Sequence, residues 1–129
     1  MTPAFYTPPW NRIDRELASA LHEVGFTKLS AWGAYGGREG YLDRIDAHVD
    51  LMRWNPRPKF RGQGRFYNDM TRQLRRRRQG GAWHEPIGLL THHLDHDDEA
   101  WRFLVSFLDR TRQRVSWQRF DDLRFATAP

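Results

Sequence analysis

Cysteine is absent from this chain, which excludes disulfide staples, thiolate nucleophiles and cysteine-held metals. Long apolar runs are missing too: no stretch reaches the roughly eighteen residues that a membrane span requires. The opening Met1-Thr2-Pro3-Ala4-Phe5-Tyr6 has no basic segment followed by an apolar one, so a secretory leader is not expected. With neither signal, the expected location is cytoplasmic by default, and no membrane partner is expected. Lysine is scarce: all but two of the 21 basic residues are arginine, the exceptions being Lys28 and Lys59. Low-complexity tracts and fixed-period repeats are also lacking.

What is present is an apolar fraction of 39% with 6 Trp, 8 Phe and 4 Tyr in 129 residues, enough for one core. No linker divides the chain, so residues 1–129 read as a single domain. A complete β/α barrel usually needs roughly 200 residues or more, and this chain is shorter. The formal charge is +5, a balance that suits phosphates or an anionic polymer. The densest basic feature is Arg72 followed by Arg75-Arg76-Arg77-Arg78. Phe66, Met70 and Leu74, however, fall at i, i+4 and i+8, so the arginines read as the solvated face and last turn of a helix. With no zinc-knuckle, helix-turn-helix or RNP-like motif beside them, nucleic acid is a disfavoured partner.

Along the chain, Phe5-Tyr6-Thr7 ends a short strand closed by Pro8-Pro9. Ile13, Leu17, Ala20, Leu21 and Val24 mark a helix over 13–24, stopped by Gly25. Strands are expected over 26–32 and 42–49, separated by a loop holding Gly33, Gly36, Gly37 and Gly40. Residues 55–65 read as a long loop, 66–79 as a helix with Gly80-Gly81 as its exit, and 86–91 as a short buried strand. Asp95, Asp97, Asp98 and Glu99 announce a helix whose packed stripe would be Trp101, Leu104, Val105 and Leu108. Val115-Ser116-Trp117 is a last strand candidate. Strands alternating with helices argue for a parallel α/β architecture.

Three groups carry chemistry. His92 and His93 directly follow the apolar strand Pro86–Thr91, at the end where parallel α/β folds bind ligands; loop histidines capping the next helix would look the same. Asp46, His48 and Asp50 alternate and so share one strand face, with Trp54 close behind. Pro8-Pro9-Trp10-Asn11-Arg12 makes a rigid aromatic corner. His92, His93, His96 and Asp97 with His48 and Asp50 contain enough N/O ligands for zinc. Adjacent histidines on an extended strand point oppositely, though, and no metal site is assigned to this chain.

In order and spacing, Pro-Pro-Trp-Asn-Arg, His-Val-Asp with a nearby Trp, and Leu90-Thr91-His92-His93 resemble the later motifs of the polysaccharide (chitin) deacetylase superfamily, from about Thr7 to about Leu123. The resemblance implies a partial parallel β/α barrel, the C-terminal half of that fold. It also implies roles: His92 as general acid toward the leaving amine, Asp50 as the acid that holds His92 in its charged form, and Leu90, Trp54, Trp10 and Arg12 as the substrate pocket. Imidazole chemistry suits such a role, since the ring can both protonate an amine and stabilise an oxyanion.

Departures from the family pattern are equally informative. Thr7 stands where an orienting Arg usually is, with Arg12 as its substitute from the other side of the turn, and Arg53 replaces a second Asp. The Thr-Phe-Asp-Asp motif and the His-x-x-x-His metal pair of the family's N-terminal half have no counterpart here. Those residues supply the base and hold a divalent metal, zinc or similar, in a complete member. The expectation is therefore a carbohydrate-deacetylase-like hydrolase that acts on N- or O-acetyl groups of a glycan when complete and is inactive alone. Its N-terminal half would be supplied separately, and self-association of the open fragment is expected. The alternative is a non-catalytic module that binds a glycan or nucleic acid.

Overall fold

The computed structural model describes residues 4–33 and 37–123. Met1-Thr2-Pro3 and the loop residue Gly36 lie outside the described residues. The chain is mixed α/β, with three α-helices and small sheets in which parallel pairing dominates. It forms two compact units, one drawn from Met1–His48, His84–Gly88 and Arg119–Pro129, the other from Val49–Trp83 and Leu89–Gln118. Among the described residues no helix is long and apolar enough to cross a membrane.

In the first unit, β1 (Ala4–Tyr6), β2 (Phe26–Leu29) and β4 (Leu42–Arg44) run parallel, and β3 (Gly37–Glu39) pairs antiparallel with β4 at the edge. Part of the expected glycine loop is thus a strand; Gly40, at φ +59°, makes the tight reversal that lets it fold back. Helix α1 (Arg15–Leu21) is shorter than its apolar periodicity suggested. Asp14 accepts the Leu17 N–H at 2.8 Å and fixes the start. Turns over His22–Gly25 end it, with Gly25 at φ +97°. Ala18 and Leu21 pack on Leu29 and Leu42, with Tyr6, Ile13 and Phe26 around them.

The strand expected over 26–32 is regular only to Leu29, because the Asp46 carboxylate inserts beside it: Ala31 N–H donates to Asp46 Oδ1 at 2.9 Å. Pairing resumes as a parallel bridge between Trp32 and Ala47. Arg44 holds the same carboxylate and reaches Glu39 at 2.9 Å. Burial works against the Arg44 charge, but its hydrogen bonds and proximity to Asp46 and Glu39 outweigh burial and raise its pKa. Gly88 passes so close that a Cβ would lie 2.2 Å from Asp46 O. Its N–H donates to His48 Nδ1 at 2.9 Å, and its carbonyl accepts the His48 N–H at 2.8 Å. Lys28, only 2% exposed, donates to the carbonyls of Phe120, Asp121 and Leu123 at 3.0, 2.9 and 3.2 Å. The first two carbonyls belong to a 3-10 turn over Phe120–Asp122, and the third to the residue that caps it.

In the second unit, β5 (Val49–Asp50) pairs in parallel with β8 (Leu89–Leu90), and β6 (Met52–Arg53) pairs antiparallel with β7 (Lys59–Phe60). The expected long loop over 55–65 therefore holds a hairpin arm. Helix α2 (Gln63–Gln79) begins three residues before the expected start, from Gly62 at φ +92°. Its inward face also differs from the expected stripe. Phe66 is fully buried, yet Leu74 is 55% exposed and Arg77 is buried in its place. Gln73 makes that exchange possible, since its carbonyl and Oε1 both accept from Arg77.

Helix α3 (Asp98–Thr111) starts where the acidic cluster indicated, with Asp97 accepting the Ala100 N–H at 2.8 Å. Its packed side is Ala100, Phe103 and Phe107 rather than Trp101, Val105 and Leu108, which stay exposed. Aromatic contacts decide the rotation: Phe66 meets Phe103 and Phe107 at ring distances of 4.8 and 5.1 Å, and Phe60 meets Phe103 at 4.9 Å. Val115-Ser116-Trp117 forms no strand. Thr111 O accepts from Arg114 and Val115, continuing the helix end as a turn, and Trp117 packs edge-on against Phe107.

Candidate functional site

Four of the expected site residues meet in the second unit, where β5 and β8 end together. The parallel register sets Asp50 beside Leu90, and Leu51 N–H donates to Leu90 O at 3.1 Å. Two residues beyond Leu90, His92 turns its Nε2 to within 3.4 Å of Asp50 Oδ1. That is an ion-pair distance, but Nε2 makes no hydrogen bond among the described residues. The His92 side chain is 23% exposed.

Asp50 is itself tightly held. Oδ1 accepts the Met52 N–H at 2.8 Å, Oδ2 accepts the Trp54 Nε1–H at 3.1 Å, and its main-chain carbonyl accepts Arg61 at 3.0 Å. Arg61 in turn pairs with Asp69 of α2. Trp54 closes the group by standing edge-on to His92, ring centres 4.5 Å apart. Carboxylate, imidazole and indole therefore form one hydrogen-bonded and packed cluster, which orients His92 and walls one side of it.

Two of the alternating acids and bases on the 46–50 segment serve the fold instead. Asp46 and His48 are buried, and each takes a backbone N–H, from Ala31 and Gly88 respectively. The remaining expected pocket residues, Trp10 and Arg12, lie in the first unit, on the turn after β1. Trp10 is 90% exposed and adopts φ +59°, followed by Asn11 at φ +52°. A left-handed Trp is a conformation that L side chains rarely accept. Arg12 is exposed, its N–H bonded to Pro9 O.

His96, which the sequence offers only as one of several N/O donors, is a structural partner of His92. Its Nε2 accepts the His92 backbone N–H at 3.0 Å, and the Trp101 ring stands 4.6 Å away. His92-His93-Leu94-Asp95-His96 does carry the His-x-x-x-His spacing, a correction to the expectation that this chain has no counterpart of it, but this bond commits His96 Nε2 to the main chain. Burial, and then the neighbouring His92, lower the His96 pKa, with Asp97 and Asp50 opposing and His93 adding to the effect. Similarly, Arg119-Phe120-Asp121-Asp122 echoes the Phe-Asp-Asp of the missing motif, yet it forms the turn held by Lys28 rather than a strand end.

Among the described residues no group of three or more His, Asp and Glu is arranged to hold a metal ion. His93 is exposed while His92 points to Asp50, so this donor set does not fit the divalent metal of a complete deacetylase. A shallow groove of about 490 Å³ lies elsewhere, on the outer face of α3 along Trp101, Arg102 and Val105. In comparisons with known proteins, no protein family, no curated protein and no solved structure matches this chain.

Proposed function

We propose that this chain supplies the general-acid and acyl-pocket side of a carbohydrate deacetylase, on a partial parallel β/α barrel of the polysaccharide-deacetylase type. One observation carries the reading: Asp50, Trp54, Leu90 and His92 converge where two parallel strands end, with the imidazole set between a carboxylate and an indole. The motif order along the sequence supports it further.

In this reading the acetyl methyl rests against Leu90 and Trp54. After water adds to the acetyl carbon, the bond to the sugar nitrogen or oxygen breaks. His92 gives its proton to that departing atom, leaving a free amine or hydroxyl and acetate. Asp50 stabilises the imidazolium before transfer and fixes the ring's orientation. In this reading, activation of the water falls to the groups that a complete family member carries in its N-terminal half. The exposed Trp10 and the arginine-rich surface suit a sugar polymer, by stacking on ring faces and by hydrogen bonding.

The test is titration of the purified chain with acetylated chito-oligosaccharides and with O-acetylated glycans, followed by NMR. Selective shifts of the Trp54 indole N–H and the His92 ring are expected, and smaller ones for the deacetylated sugars. Equal response to acetylated and deacetylated sugars, or none at Trp54 and His92, would remove the deacetylase reading. Binding confined to Trp10 and the arginines would favour a non-catalytic glycan module.

A further inference from the structure

We infer that His96 is a positioning residue whose neutral ring holds His92 in the cluster with Asp50 and Trp54, so that protonation of His96 releases it. This rests on the proposed role of His92 only for its catalytic meaning; the coupling itself is a property of the turn.

The geometry is local and directional. His92 and His96 close a short turn in which His92 is gripped at both main-chain groups. Its N–H donates to His96 Nε2 at 3.0 Å, and its carbonyl accepts the Asp95 N–H at 2.9 Å. A nitrogen that accepts an N–H bond must present its lone pair, so the neutral His96 ring carries its proton on Nδ1. Adding a second proton places N–H against N–H, and the bond cannot survive. The His92 backbone then loses its upstream tether, two residues beyond Leu90, at the point from which its side chain reaches Asp50.

The surroundings make this bond the natural state at neutral pH. The groups facing His96 are His92, Asp97, His93 and Asp50, with the Trp101 ring edge-on. Burial leads in disfavouring its charge, and the two neighbouring histidines act in the same direction against the two carboxylates. Nδ1 is itself buried without a hydrogen-bond partner among the described residues. Among the described residues the second nitrogen therefore has no acceptor that would bind an added imidazolium charge directly. Acidification should thus disconnect His92 through its backbone, without any direct proton exchange between the two rings.

The experiment is an NMR pH titration of the whole chain, recording the His96 ring tautomer, the His92 amide and the Trp54–His92 proton contact. The Nδ1–H tautomer is expected for His96. The His92 amide should move upfield with the same midpoint as the His96 ring, and its Trp54 contact should weaken below that midpoint. His96→Gln, whose side-chain oxygen can accept the same N–H, should keep the Trp54 contact and abolish the pH dependence. His96→Ala should lose the contact at every pH. An Nε2–H tautomer, or a His92 amide indifferent to the His96 titration, would overturn the inference. Wild-type chain alone decides that outcome, so it stands even where the alanine variant fails to fold. Failure of sugar binding would leave this result untouched, which keeps it separate from the deacetylase reading.

Discussion

Trp54 donates its indole N–H to Asp50 Oδ2 at 3.1 Å, while the other carboxylate oxygen faces His92 Nε2 at 3.4 Å. One carboxylate therefore orients both the wall and the proton donor of the proposed site. Asp50→Ala removes the acceptor for Met52 N–H and Trp54 Nε1–H together. Leaving such donors unpaired costs about 1–3 kcal/mol each where water cannot reach them. A loss of roughly 2 kcal/mol is expected by urea denaturation, with a shifted Trp fluorescence maximum. Asp50→Asn should recover most of the stability but not the response of His92 to acetylated ligand.

The chain by itself should release no acetate from acetylated chito-oligosaccharides. In the proposed reading His92 donates the proton, while among the described residues no group of three or more His, Asp and Glu is arranged to hold a metal ion that would activate water. Acetate release followed by a coupled assay, with and without added zinc, checks this. Turnover that a chelator abolishes would mean that His92, His93 and His96 rearrange around an ion.

Gly88→Ala should be the most damaging single methyl in the first unit. The new Cβ would sit 2.2 Å from Asp46 O and 2.9 Å from Ala47 Cα, both main-chain atoms that cannot swing aside. Overpacking of a fitted interior costs typically about 1–3 kcal/mol and sometimes more, and the upper end applies here. Chemical denaturation should show a large fall in midpoint, whereas Gly64→Ala, with open space at its Cβ, should be neutral or stabilising.

Asp97 gives a pH-dependent contribution with a definite sign. Burial works to raise its pKa, but hydrogen bonds from the Ala100 and Phe60 N–H groups, with Lys59 nearby, together outweigh burial and hold it below the ordinary aspartate range. The unfolded chain therefore binds the proton more readily than the folded one. The stabilisation is complete above the unfolded pKa and is lost as pH falls through the depressed folded value. Asp97→Asn should flatten this acid limb while keeping much of the helix cap; Asp97→Ala should also lose about 1 kcal/mol at neutral pH. Thermal melts between pH 7 and pH 2 would show both effects.

Legibility of the fold followed the range of the forces involved. Local signals read well: Asp97 ahead of Asp98 and Glu99 marked the start of α3, and Gly25 the end of the α1 region. Helix faces read poorly where tertiary contacts chose between neighbouring stripes. Phe66 drew Phe103 and Phe107 inward and left Trp101 and Val105 outside, a choice that 3.6-residue periodicity cannot make. Arg77 was invisible as a buried residue, because its partner Gln73 carries no hydrophobic signal. In the site, Asp50, Trp54, Leu90 and His92 were named from their motif order and are brought together by the β5–β8 register. His96 was named only as one of several metal-type donors. The i, i+4 spacing to His92 was the available clue, and only the direction of its Nε2 shows what it does.

Lys28→Met should free the 3-10 turn over Phe120–Asp122, because three carbonyls lose a single shared donor. Faster amide exchange and proteolysis around residues 119–123 are expected, with β1, β2 and β4 keeping their protection.

The Lys28 ammonium also sets an order of events during synthesis. Its three acceptors are separated from it by more than ninety positions of sequence, and the first unit is assembled from three separate stretches of chain. On the ribosome, β1, α1 and β2 emerge early, with a charged amine turned toward the place that the 3-10 turn will fill. The last of those three bonds can form only once residue 123 has cleared the exit tunnel. The first unit to be translated is thus the last to close, and a nascent chain paused anywhere in α3 carries it open.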